Sequence, residues 1–274
     1  MQQLDQKQAS PFASQRVSRW LSRALSLELF LGLLSIGTLA LVWEFARPLS
    51  IPVFSNLPPI SEIISTSTRL LTSNLYWDGW ALSVRRITSG FLLAQIVGVP
   101  LGLFMAMHRA SFETMFPIVE IMRPIPPVAW IPISILFWPT RELSVIFIVF
   151  LGAFWIVLLN TIGGASNVDR TYRRAALSLG SSPRDMFWRI ILPATIPSII
   201  TGMSVGIGIA WEMVVAAEMV AGRTGLGYLL WQSFEVNAIA QCIICMISIG
   251  IAGYLSAELV RLFGSFVAPW QKLR

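Results

Sequence analysis

Long apolar runs alternate with short polar connections along this chain, and the lengths of the runs set the first constraint. A bilayer's hydrocarbon core, about 30 Å thick, needs roughly 20 mostly apolar residues in a helix at about 1.5 Å of rise each, because the backbone must satisfy its own hydrogen bonds away from water. Six runs qualify: Leu27 to Ala46, Ile87 to Met107, Pro117 to Trp138, Leu143 to Ile162, Ile196 to Val220 and Ala238 to Val260. The third is interrupted by Arg123, Pro124, Pro126, Pro127 and Pro132. Prolines remove backbone donors, so this run is expected inside protein or beside a water-lined cavity rather than against lipid. Between the first two runs, Ile63, Ile64, Leu70 and Leu71 recur at near-helical spacing from Ser61 to Ser73, which predicts a short helix on the membrane surface.

Composition turns spans into a fold class. Hydrophobic residues make up 55% of the 274 and charged residues 12%, against about 25% charged in a soluble domain. The reading is an all-α integral membrane protein of six transmembrane helices, divided into a tail, anchor helix and extracytoplasmic linker over residues 1–83 and a core of five spans over 84–274. The first run follows a basic stretch but is long, and nothing after Ala46 reads as a small-residue cleavage site, so it is expected to stay as an anchor. With the N-terminus inside, the six runs place 14 of the 20 lysines and arginines on the cytoplasmic side, which predicts both termini in the cytoplasm. Arg85 and Arg86, at the outer mouth of the second run, go against that count.

Charge and rare residues exclude several chemistries. The two lysines, Lys7 and Lys272, sit at opposite ends, so no GxxxxGK[ST] phosphate loop exists. A nucleic-acid reading would need the basic residues clustered on a water-facing surface, and no nucleic-acid partner is expected. His108 is the lone histidine, which leaves no multi-ligand zinc site and no serine, histidine and acid arrangement. Cys242 and Cys245 share a helix face and read as packing residues. A channel or secondary carrier would show the same bundle of spans; an intramembrane enzyme would need more acids and bases in the spans than these runs contain.

The connection between the fourth and fifth runs is polar and basic from Asn167 to Pro193. Gly180 stands where a helix ending near Leu179 wants a left-handed residue. Ser182, Pro183 and Asp185 read as N-cap, first helical position and capping carboxylate of a second helix, which Pro193 closes. Ala175, Ala176 and Gly180 would let another protein approach this helix-turn-helix closely; a DNA-style helical hairpin or a merely solvated loop is the other reading.

Ala175 and Ala176, Gly180, then Ile190, Leu192 and Pro193 match the spacing of the EAA loop of importer-type ABC transporter permeases, with Arg174 where that loop usually has glutamate. The stretches Arg123 to Pro132 and Trp211 to Glu218, the latter followed by Gly225-Leu226-Gly227, are similar to the subgroup importing nitrate, bicarbonate, cyanate, taurine and alkanesulfonates. The resemblance implies a permease of the bacterial plasma (inner) membrane, working as a homodimer on two cytoplasmic ABC ATPase subunits and fed by an extracytoplasmic substrate-binding protein. ATP and Mg would be held by the ATPases, with no cofactor in this chain. The cargo implied is a small oxyanion or sulfonate. The loop over 165–193, with Arg174, Ala175, Ala176, Gly180, Ile190, Leu192 and Pro193, would dock on the ATPase.

The fifth run supplies the remaining candidates. Gly202, Gly206, Gly208 and Ala210 suit close helix contact, as do Gly98 and Gly102 in the second. Glu212 and Glu218 are six apart, about 120° around a helix, so they cannot form one paired site. Glu218 is expected near the outer interface, reaching water or Arg223, and Glu212 deeper, facing a dimer interior or a hydrated cavity. Trp211, Glu212, Glu218, Pro126 and Pro127 are the candidates for a translocation path or gate.

Overall fold

The structure is a computed structural model that describes residues 31, 32, 34, 35, 37–45 and 57–270. It divides into two units, residues 1–65 and 66–274; the division between residues 83 and 84 drawn from sequence falls inside a helix. In the first unit the described positions from 31 to 45 are helical, in keeping with the anchor run, and the rest of that run lies outside the described residues. Near its end, the Ser61 N–H and hydroxyl donate to the Glu44 carboxylate at 3.2 and 2.8 Å. The expected surface helix is α1 (Ile60–Leu71), which buries Ile63, Thr66 and Leu70 and leaves Ile64 61% exposed.

Among the described residues every further regular element is a helical turn or helix: α2 (Asn74–Met107), α3 (Arg109–Met122), a 3-10 turn (Pro127–Trp130), α4 (Ile131–Phe137), α5 (Arg141–Ser166), α6 (Arg170–Ser178), α7 (Pro183–Met186), a π turn (Phe187–Ile191), α8 (Leu192–Val220), α9 (Leu226–Glu235) and α10 (Ile239–Val267). Among the described residues, four helical stretches are long and apolar enough to cross a membrane: α2, α5, the run from Pro183 to Val220, and α10. The third expected span is not a straight helix. Residues 109–122 and 127–137 form two pieces bent by 85°, because Pro126, at φ −57° and ψ 132°, leaves helical geometry, and Pro127 can only start the turn that follows.

The middle of the bundle is α5, which packs most extensively against α8 and α2. Val145, Ile148, Val149, Ala153, Val157 and Leu158 are at most 1% exposed. Glycines set the spacing. A Cβ on Gly102 would stand 2.8 Å from the Thr161 side chain, and one on Gly202 would stand 2.8 Å from that of Asn160. Backbone therefore meets side chain directly, the mode of helix association that lipid favours. Gly208 differs from this expectation: nothing lies within 4 Å of its missing Cβ, so its side of α8 is uncovered by the chain.

Candidate functional site

At one end of α5 the polar connection folds as a capped helical hairpin. Asp169 accepts from the Thr171 N–H at 2.8 Å and starts α6; that amide and the Thr171 hydroxyl hold its carboxyl below the usual range. The Arg173 guanidinium donates to Ala165 O at 2.8 Å, tying α6 back to the end of α5. After Leu179 the chain reverses through Gly180 at φ +77°. Gly180 N–H donates to Leu177 O and Ser181 N–H to Ala176 O, both at 3.0 Å, the paired bonds of a Schellman cap. Nothing lies within 4 Å of a Cβ placed on Gly180, so the left-handed backbone alone requires glycine there. Ser182 then accepts from the Asp185 N–H at 3.2 Å and donates to its carboxylate at 2.6 Å, with Pro183 in the first turn.

Pro193 does not close the second helix. Helical structure continues from Pro183 through the π turn into α8, and Pro193 sits in the first turn of α8. The π turn has already shifted the hydrogen-bond ladder, so the missing proline N–H costs no regular bond. Ile191, 4% exposed, packs with Leu103 and Ala165, and Met186, Phe187 and Leu192 lie against them. Ile190 and Leu192 are half-buried, so these two positions hold the hairpin to the bundle.

The exposed surface of the hairpin carries large apolar side chains among its arginines and serines. Tyr172, Leu177 and Leu179 are 65%, 60% and 86% exposed, and Arg174 and Ala175 are exposed with them. Tyr172, Ala175 and Leu179, at i, i+3 and i+7, share one side. Ala176, which the sequence offered together with Ala175 for close approach, is 6% exposed and faces its own chain.

At the opposite end of α8 lies an ion cluster. Glu218 is fully buried and is paired with Arg86, not Arg223. Its Oε1 accepts from Arg86 Nη1 at 2.8 Å and its Oε2 from the Gly227 N–H at 2.9 Å. The Ser83 hydroxyl lies 2.8 and 2.9 Å from the two oxygens while accepting from the Leu226 N–H at 2.9 Å. Arg86 also donates to Thr224 O at 2.7 Å and to Glu142 at 2.6 and 3.0 Å, and Arg85 reaches the other Glu142 oxygen at 2.8 Å. Gly225, at φ +119°, passes so close that a Cβ there would stand 2.3 Å from the Glu218 carboxyl carbon. The cluster binds α2, α5, α8 and the start of α9 together. Ser83, Arg86, Glu142 and Thr224 were not read from the sequence as site residues; the signal was the Arg85–Arg86 pair on the side where basic residues are scarce, with Glu142 at the start of the fourth apolar run.

The other candidates separate from this cluster. Trp211, 5% exposed, donates to the Ser256 hydroxyl at 2.9 Å and stands edge-on to Trp80 at 6.1 Å, which makes it a packing residue between α8, α10 and α2. Glu212 is exposed on the surface of the single chain. Pro126 is exposed and Pro127 half-buried at the bend after α3. Cys242 and Cys245 are buried free thiols. Among the described residues no group of three or more His, Cys, Asp or Glu could hold a metal ion.

Comparison with known proteins bears on both ends of α8. Residues 98–271 match the family model described as binding-protein-dependent transport system inner membrane component. A Methanocaldococcus jannaschii protein named provisionally as an ABC transporter permease is 38% identical over 88% of this chain and 92% of its own length. The nitrate import permease NrtB of Synechocystis sp. is 32% identical over 86% of this chain and 88% of its own. The taurine transport permease TauC of Escherichia coli K12 is 32% identical over 86% and 89%. In fold, the chain is similar to a chain of the inward-facing MetNI methionine ABC transporter, at a TM-score of 0.60 and 17% identity over 70% of this chain and 96% of that one.

Proposed function

The chain belongs to the binding-protein-dependent transport system inner membrane component family and is a permease subunit of an ABC importer, and from that premise we propose how it works and what it carries. Two copies assemble with two cytoplasmic ATPases and receive cargo from an extracytoplasmic binding protein, with both termini in the cytoplasm. ATP and Mg belong to the ATPases; this chain is a transport subunit and not an enzyme. The cargo is a small oxyanion or sulfonate, as the names of the nitrate and taurine permeases suggest.

One observation carries the mechanism: a short helix capped at both ends presents Tyr172, Leu177 and Leu179 to solvent. Apolar side chains held outside the bundle on a preorganised helix suit a groove on a partner. The residues with the family's spacing then divide their work. Ala175 and Arg174 stand at the docking face, Gly180 forms the turn, and Ile190, Leu192 and Pro193 join the hairpin to α8. When the ATPases close on ATP, the docked hairpin moves, and the continuous helical run from Pro183 to Val220 carries the displacement to the outer ends of the spans. Loaded binding protein and ATP each favour the state they bind better, so the subunit alternates between outward-open and inward-open forms.

The test is reconstitution of the chain with its ATPase and binding protein in proteoliposomes. Uptake requires ATP at the ATPase, the chain alone hydrolyses none, and Leu179→Glu abolishes uptake while the chain stays inserted. Accumulation of cargo without ATP, driven by an ion gradient, would make the chain a secondary carrier and overturn the proposal.

A further inference from the structure

The side of α8 that the described residues leave uncovered carries a carboxylate, Glu212, in the part of the helix where lipid would demand apolar groups. Thr201, Val205 and Glu212 are exposed, and Gly208 between them faces open space. These positions recur at helical spacing and form one stripe. Glu212 lies eight residues before the end of α8 at Val220, about 12 Å inside that end. It forms no ion pair among the described residues. A carboxylate facing hydrocarbon at that depth is strongly disfavoured, so this side of α8 faces water or the second copy and not lipid. Toward the other end of α8 the same stripe opens on a groove of about 560 Å³ between α8 and α10, lined by Thr201, Ser204, Val205, Arg261 and Ser265 among others. The Arg261 guanidinium keeps only an exposed contact with Glu258, at 3.3 Å.

We propose that this stripe is the wall of a hydrated transport path, and that Glu212 selects cargo carrying a cationic group, such as the ammonium of an amino sulfonate, over inorganic oxyanions. The proposal rests on the importer reading above and narrows its cargo class. A charged group passing about 6 Å from the Glu212 carboxylate is favoured about tenfold as a cation over an anion even at the dielectric constant of water. A zwitterion meets a matching charge twice along the stripe, its ammonium at Glu212 and its sulfonate at Arg261. A bare anion is opposed at the first and matched only at the second.

Two measurements decide it. The first needs no cargo. Gly208→Cys, in a Cys242→Ala, Cys245→Ala background within the assembled complex, is treated with a cationic and an anionic methanethiosulfonate of similar size. Position 208 is one helical turn from Glu212, about 6 Å away, so the cationic reagent gains about tenfold over its intrinsic advantage toward a small thiol, and Glu212→Gln removes that gain. No reaction with either reagent, or a preference that Glu212→Gln leaves intact, overturns the proposal. The second is ATP-driven uptake of taurine, ethanesulfonate and nitrate by the complete complex. Glu212→Gln lowers taurine uptake about tenfold while Glu212→Asp restores it. Uptake of nitrate or ethanesulfonate without taurine overturns the selectivity and leaves the importer reading standing. No ATP-driven uptake of any of the three defeats the oxyanion and sulfonate reading itself, and the reagent measurement still settles the charge of the path.

Discussion

Removing Arg86 tests the ion cluster at the end of α8 most directly. Its side chain is 5% exposed, and it donates to the fully buried Glu218, to Glu142 and to Thr224 O. Arg86→Leu keeps an apolar stem of similar length but strands the Glu218 carboxylate with only the Ser83 hydroxyl and the Gly227 N–H. Loss of one partner from a buried ion pair costs about 3–5 kcal/mol. For a chain of this size that corresponds to a fall in unfolding temperature on the order of 10 °C, read in detergent as the temperature at which Cys242 and Cys245 become reactive to a fluorogenic maleimide. Glu218→Leu should cost a similar amount, since it removes the guanidinium's fully buried counter-ion and leaves it Glu142 and Thr224 O. The double variant removes both charges and so should be no less stable than the worse single variant, giving a coupling of at least about 2 kcal/mol between the sites. Additive losses in the double variant, or an Arg86→Leu chain as stable as the parent, would refute the claim that this pair holds α2 to α8.

Other consequences can be measured separately. Gly180→Ala places a side chain in open space but in left-handed backbone, so it should cost the loop about 1–2 kcal/mol and reduce uptake, while Gly180→Asn, which tolerates that geometry, should retain most of it; equal uptake by all three would remove the turn from the mechanism. An impermeant thiol reagent applied to intact cells should label Ser67→Cys and spare Ser181→Cys, and the reverse pattern would invert the orientation. Because Thr171 depresses the Asp169 carboxyl, the cap is present at pH above the unfolded value and lost only as pH falls through the folded one. A spin label at Ser178→Cys should accordingly keep constant mobility from pH 8 to 5 and loosen only below about 4; loosening near neutrality would contradict this cap.

The features that length and local chemistry determine were legible in the sequence. Four of the apolar runs fall in helices long and apolar enough to cross a membrane, because a bilayer sets a minimum helix length, although α2 begins well before Ile87 and α10 continues past Val260. The hairpin's Gly180 turn and Ser182 cap were legible because glycine, serine and proline act over three or four residues. What failed depended on partners distant in sequence. Glu218 looked interfacial when counted along its own helix, but Ser83, Arg86 and Glu142 lie on two other helices and close around it, and nothing along α8 encodes that meeting. For Trp211 the sequence left a path and packing about even, and its neighbours Ser256 and Trp80 are likewise not encoded along α8. Pro193 misled for a different reason: a proline normally ends a helix, and the π turn that accommodates it is written in no single residue.

The helical run from Pro183 to Val220 has 38 residues, about 57 Å at 1.5 Å each, nearly twice the thickness of the hydrocarbon it crosses. It acts as a lever arm, so a tilt of about 5° about one end sweeps the other through about 5 Å. Bonds of 2.8 and 2.9 Å from Glu218 to α2 and α9 break at a fraction of that travel. Leverage applied at the hairpin therefore cannot slide the far end of α8 past its neighbours. On the mechanism proposed above, it swings the clustered ends of α2, α5, α8 and α9 as one head.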